Sequence, residues 1–261
     1  MNELIIREDG KFKKYEDLLL KRDQLYKEAG SIYSVYMETF GDLLLQDFEI
    51  KVECIKKRKM IAYCLQAVNH GETIDVAQMN EMISHEMAIY EQQLNQMALD
   101  KAEADKQKKS PVYKVERAKR IYRRLAKLIH PDINPAAASI KEISELWERI
   151  VIAYHCNDDS ELDNLEILVR KVLRDNGELI SGANIDNVDE RIARLEEEIN
   201  TILTTEPYIY YELLLSPERT AERKEELNRA IDENRKFSED LSMILRDIIA
   251  GGGVPLTWIQ D

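Results

Sequence analysis

The residues best able to do chemistry are few. The chain of 261 residues carries four histidines and three cysteines. One histidine, His130, stands inside a motif: the stretch LIHPDINP at 128–135 sets it directly before Pro131 and Asp132. A metal ion would need several converging ligands, and His130 with Asp132 supplies two candidates, without a His-x-x-x-His pair or a Cys pair beside them. Nucleophilic catalysis would need an activated Ser or Cys near the imidazole, or a glycine elbow, and neither is marked there. Cys54, Cys64 and Cys156 are odd in number, widely spaced and free of a CxxC pattern, so reduced thiols are expected. His155 and Cys156 adjoin, but neighbours on a helix point about 100° apart, which favours packing over shared ligation. With no constellation for bond chemistry, the expectation is a non-enzyme with no cofactor and no metal.

Taken alone, the tripeptide is a helix stop. The residue before Pro131 is pushed out of the helical region, and Asp132 can cap the next segment. The residues before it give it more weight. From Val112 to Ile129 seven cations (Lys114, Arg117, Lys119, Arg120, Arg123, Arg124 and Lys127) face one acid, Glu116, which is +6 in a protein of −13. Ala118, Ile121, Tyr122, Leu125 and Ile129 keep an apolar stripe, so this helix has a core side and a cationic side. A solvated face paired with nearby acids is the bland explanation of such a run. Nucleic-acid binding is opposed by the overall charge and by the absence of interleaved aromatics or a known binding motif.

The elements that must position these residues are helical throughout. Nine glycines and six prolines, with a third of residues charged, favour long helices over a turn-rich β fold. Apolar residues at helical spacing predict a segment over about 11–28 that stops at Gly30. A longer one follows over 31–68, then a turn at NHGET, then a helix over 75–108. Ser110 and Pro111 predict a helix start, with Ser110 as N-cap and Pro111 in the first turn. After a loop, INPAAAS, another amphipathic helix carries Ile143, Leu146, Trp147, Ile150, Val151 and Tyr154, and a shorter one lies near ELDNLEILVRKVL. DNGELISGANIDN at 175–187 is the best boundary. Beyond it Val188, Ile192, Leu195, Ile199 and Ile202 form a heptad seam, and Leu227, Ile231, Leu241, Leu245 and Ile248 form another. The two are expected to pair as an antiparallel hairpin, with the cluster Tyr208, Tyr210 and Tyr211 and Leu213 to Leu215 between them as the plug that closes it or, alternatively, an exposed partner-binding patch.

The stretch IYRRLAKLIHPDINP resembles the J-domain of the DnaJ co-chaperone family. In that family a basic helix of the form Tyr-Arg/Lys-x-Leu-Ala leads into His-Pro-Asp, then a loop and a third helix. Tyr122, Arg123, Leu125 and Ala126 match the basic helix, while Trp147, Ile150, Ala153 and Tyr154 match the third helix in spacing. The resemblance covers roughly residues 112–170. It implies docking on a DnaK-type heat-shock chaperone: the basic helix meets the partner's acidic surface, and the tripeptide stimulates ATP hydrolysis. Carried over by position, the implied partner-binding residues are Lys119, Tyr122, Arg123, Arg124, His130, Pro131, Asp132 and Asn134. The physical logic agrees, since a cationic side speeds encounter with an acidic partner.

The sequence also departs from the family. A first helix with Tyr-x-x-Leu-Gly is not recognisable before Pro111. The loop from Asp132 to Trp147 is a few residues long for the family, and no Gly/Phe-rich linker, zinc repeat or β-rich client domain is present. The expected organisation is therefore all-α and elongated: an N-terminal helical hairpin at 1–109, a J-like domain at 110–175, a C-terminal antiparallel coiled-coil-like hairpin at 187–250 and a tail at 251–261. The expected function is a cytoplasmic adaptor whose arms recognise a client or assemble the protein into a homo-oligomer. The alternative is a coiled-coil scaffold whose degenerate J-like fold has no chaperone coupling. No apolar run long enough to span a membrane and no secretory leader are seen.

Overall fold

The computed structural model describes residues 2–106, 110–176 and 187–251, and the side-chain surroundings of all of these except 2–9 and 251. Every regular element among the described residues is an α-helix: α1 (Asn2–Asn69), α2 (Val76–Lys106), α3 (Val112–Ile129), α4 (Pro135–Ala138), α5 (Lys141–His155), α6 (Asp159–Asp175), α7 (Val188–Thr204), α8 (Tyr210–Leu215) and α9 (Pro217–Gly251). The protein is all-α. The predicted linker residues 177–186 and the tail beyond Gly251 lie outside the described residues.

Two compact units divide the chain: Met1–Ser31 with Lys108–Ile209, and Ile32–Gln107 with Tyr210–Asp261. These cut across the expected boundaries, because the first turns of α1 belong with the central module rather than with α2. The predicted stop at Gly30 does not occur: α1 runs through it as one helix of 68 residues. A single helical glycine costs about 1 kcal/mol against alanine, which is small beside the burial of Leu25, Ala29, Ile32 and Tyr36 on either side.

In the first unit α3, α5 and α6 pack around Ala118, Ile121, Tyr122, Leu125, Ala126, Ile129, Ile143, Leu146, Ile150, Ala153, Tyr154, Leu162, Leu165 and Val169, and Leu20 of α1 joins them. Each fully buried aliphatic side chain there contributes on the order of 2 kcal/mol. The start of α3 differs in detail from the sequence expectation. Pro111, not Ser110, holds the cap position, and its carbonyl accepts from Lys114 N–H at 2.9 Å. Within the predicted loop a short helix, α4, forms because Asn134 Oδ1 accepts from Ala137 N–H at 3.1 Å, so the capping role foreseen for Asp132 falls to Asn134.

The heptad seam of α7 finds its partner in α1 within the first unit. Ile192 and Leu195 cluster with Tyr15, Leu19 and Ile133, and Ile199 and Ile202 with Leu25. A seam states only that an apolar partner is needed, and the α1 stripe provides it. In the second unit α9 meets the later part of α1 and α2, where Leu241 and Ile248 cluster with Cys54, Ile61, Cys64, Met79, Ile83 and Met87. Asp75 caps α2 by accepting from Ala77 and Gln78 N–H at 2.9 and 3.0 Å. Tyr208 packs beside Leu25 in the first unit. Tyr210 stacks on Tyr36 with ring centres 4.0 Å apart in the second.

Candidate partner-docking site

The apolar stripe of α3 is consumed by the core, which turns its cations outward: Arg117, Arg120, Arg123, Arg124 and Lys127 are all exposed. Lys119 is half-buried. The helix ends where Pro131 forbids continuation, and His130 N–H still closes the last turn on the Ala126 carbonyl at 2.9 Å. The tripeptide then forms a tight turn in which Ile133 and Asn134 N–H donate to the His130 carbonyl at 3.0 and 2.7 Å. Asn134 Nδ2 also donates to the Leu128 carbonyl at 3.0 Å. Asn134 is thus committed on both sides, fixing the turn from within. Pro131 is exposed and Asp132 half-exposed.

His130 is 6% exposed. Its ring meets Trp147 edge-on at 4.9 Å. Its Nδ1 accepts from Asp132 N–H at 3.0 Å, so the ring hydrogen lies on Nε2. That nitrogen points to α1, with Asp23 Oδ2 at 3.5 Å. The same carboxylate oxygen accepts from the Tyr122 hydroxyl at 2.8 Å, and Arg22 donates to the other oxygen at 2.9 Å. Burial works against charge on Asp23, but the hydrogen bonds from His130, Tyr122 and Arg22 outweigh it and hold this carboxyl below its usual value. Burial, and then Asp23, push the Tyr122 hydroxyl far up. Tyr122 also stacks on Tyr154 at 4.0 Å, and Lys27 Nζ sits 3.8 Å above the Tyr154 ring while donating to Asn157 Oδ1 at 2.6 Å. Burial lowers Lys27 to about 8.

The cationic face has acids on both flanks. From α6, Asp159 lies 3.7 Å from Lys114 and 3.3 Å from Arg117, Asp163 meets Arg117, and Glu166 holds Arg124 at 2.7 Å. From α1, Glu16 pairs with Lys127 and Gln24 Oε1 accepts from Arg123 at 3.1 Å. No family model, no curated protein and no solved structure matches the chain.

Of the residues singled out in the sequence, Tyr122 and His130 are brought together with the buried Tyr154 and the half-buried Trp147 in one aromatic group. Arg123, Arg124, Pro131 and Asp132 lie outward from it, Lys119 is half-buried, and Asn134 faces inward. Asp23, Arg22, Gln24, Glu16 and Lys27 belong to no motif and are not marked by the sequence. Their one signal is that Glu16, Asp23 or Gln24, and Lys27 fall with Leu20 at spacings of three and four along α1, which places polar groups on an otherwise apolar face. Among the described residues, no group of three or more His, Cys, Asp or Glu is placed to hold a metal ion, and no helix is long and apolar enough to cross a membrane.

Proposed function

We propose that this protein is a J-domain-type adaptor of the cytoplasm, which docks on a DnaK-type chaperone through α3 and the His130-Pro131-Asp132 turn and stimulates its ATP hydrolysis. The observation that carries the reading is the outward face of α3. Arg117, Arg120, Arg123, Arg124 and Lys127 are exposed on a helix that ends in a braced turn with Pro131 exposed and Asp132 half-exposed. A single-signed stripe held on a rigid element suits fast encounter with an acidic surface. In this reading the second unit serves client recognition or self-association, and the protein carries no bond chemistry of its own.

A second reading, a scaffold with a degenerate J-like fold, draws support from the burial of His130 and Tyr122 and from the ion pairs that Lys114, Arg117, Arg124 and Lys127 make within the chain. One assay separates the two. Single-turnover ATP hydrolysis by the DnaK-type chaperone of the same organism should rise with added protein and not with His130→Gln. Equal rates with wild type and variant would refute the docking reading and leave the scaffold.

A further inference from the structure

One face of α1 tracks the docking surface residue by residue. Glu16, Leu20, Asp23, Gln24 and Lys27 recur at helical spacing. In order they meet Lys127, the α3–α5–α6 core, the Tyr122–His130 pair, Arg123, and Tyr154 with Asn157. Two carboxylates seven residues apart therefore answer the end of the cationic helix and the histidine of the tripeptide. That is the chemistry an acidic partner surface would bring.

We propose that this α1 face is a built-in occupant of the docking surface, a latch that stands in for the partner and must lift before the partner engages His130. The inference rests on the docking reading and adds its regulation: the partner must offer carboxylates at the places of Glu16 and Asp23. Two features make the cover exchangeable rather than a permanent wall. Over His130 it is polar and charge-matched, so another carboxylate can replace Asp23 without leaving a buried group unsatisfied. Most of the apolar side of α1 is shared with α7, since Tyr15 and Leu19 cluster with Ile192 and Leu195 and Leu25 with Ile199 and Ile202, while Leu20 enters the main core and Ile133, just after the tripeptide, joins Tyr15 and Leu19. α1 and α7 can then move as a pair and keep their own seam closed, giving up the contacts of Leu20 with the core and of Tyr15 and Leu19 with Ile133.

The test uses the full chain with Asp23→Asn, which keeps shape but weakens acceptance from His130 and Tyr122, and with Glu16→Gln, which keeps shape and touches neither His130 nor Tyr122, should the first variant fold poorly. Two readouts are taken. One is diethyl pyrocarbonate modification of His130, quantified by peptide mass spectrometry with the exposed His85 of the second unit as internal standard. The other is the protein concentration giving half-maximal stimulation of chaperone ATP hydrolysis. Release of the latch should raise the His130 modification rate about tenfold with His85 unchanged, and lower the half-maximal concentration by about the same factor. Unchanged readouts in both folded variants, with wild type still stimulating, would overturn the latch and leave docking intact. Faster His130 modification with no stimulation by wild type or either variant would instead sink the docking reading, and the proposed regulation with it.

Discussion

Replacing Lys27 by methionine isolates one buried charge. The Lys27 ammonium lies over Tyr154 and against Asn157 in a residue only 8% exposed, and burial lowers its pKa from 10.5 to about 8. A shift of that size corresponds to about 3 kcal/mol at 1.36 kcal/mol per unit. His155 and Cys156 beside it are exposed, so nearby solvent screens the charge and about 1–2 kcal/mol is the figure to expect. The sign depends on which state holds the proton. Below pH 8 both folded and unfolded chains carry the charge, and the folded state bears the full penalty. Between 8 and 10.5 the folded chain has released a proton that the unfolded chain keeps, so stability rises with pH, and above 10.5 the penalty is gone. Methionine matches the length of the side chain and has no such proton. The stability of Lys27→Met relative to wild type should therefore fall by about 1–2 kcal/mol between pH 7.5 and 10. Contributions from Cys54, Cys64, Tyr122 and Tyr154 cancel in that difference to the extent that the substitution leaves their surroundings intact. Urea unfolding monitored by Trp147 fluorescence reports the first unit, with Trp258 replaced by phenylalanine in both proteins. A difference that stays flat across the window, or grows, would refute the burial argument for Lys27.

Gly41 and Lys101 form a second test. The stem of Lys101 occupies the place a Cβ at Gly41 would take, while its ammonium is tied to Asp105 at 2.6 Å and lies 3.4 Å from Asp42. Gly41→Ala should therefore lower the Tm in wild type yet raise stability by about 1 kcal/mol, the ordinary helical gain, in a Lys101→Ala background. Helical circular dichroism during melting checks this, and a gain in both backgrounds contradicts it. Arg124 and Glu166 form a third. The hydrogen bond from Arg124 holds Glu166 below its usual 4.5, against the opposing effect of burial and with help from Arg170. This stabilisation is present above about pH 4.5 and lost as pH falls through the depressed value. Arg124→Gln should cost about 0.5 kcal/mol at pH 7 and less at pH 3 in urea unfolding, with an equal cost at both pH values counting against it.

The features legible in the sequence are the local ones. The apolar stripe of α3, its end at Pro131 and the turn at NHGET depend on neighbours within a few residues, and they appear in the structure where periodicity and backbone sterics put them. The start of α3 is legible only to within a residue or so, because cap geometry at Ser110-Pro111 depends on small differences in backbone angle. Gly30 misleads because an intrinsic helix penalty is weak against burial on both sides of it. The α7 seam is readable as a seam, but its partner is not: α1 and α9 both present apolar stripes, and choosing between them depends on where the whole chain travels.

The candidate site divides in the same way. The residue types at 119–134 and the cationic charge of their helix belong to the sequence alone, since no fold changes the sign of Arg123 or the ring of Pro131. Their availability does not. Asp23 lies 107 positions before His130, and nothing in its own neighbourhood distinguishes it from the other acids of α1. Only the packing of α1 on α3 places that carboxylate against Tyr122 and His130. The cause is physical: helix periodicity is set by short-range backbone geometry, whereas a buried polar contact is set by which two surfaces lose their water to each other.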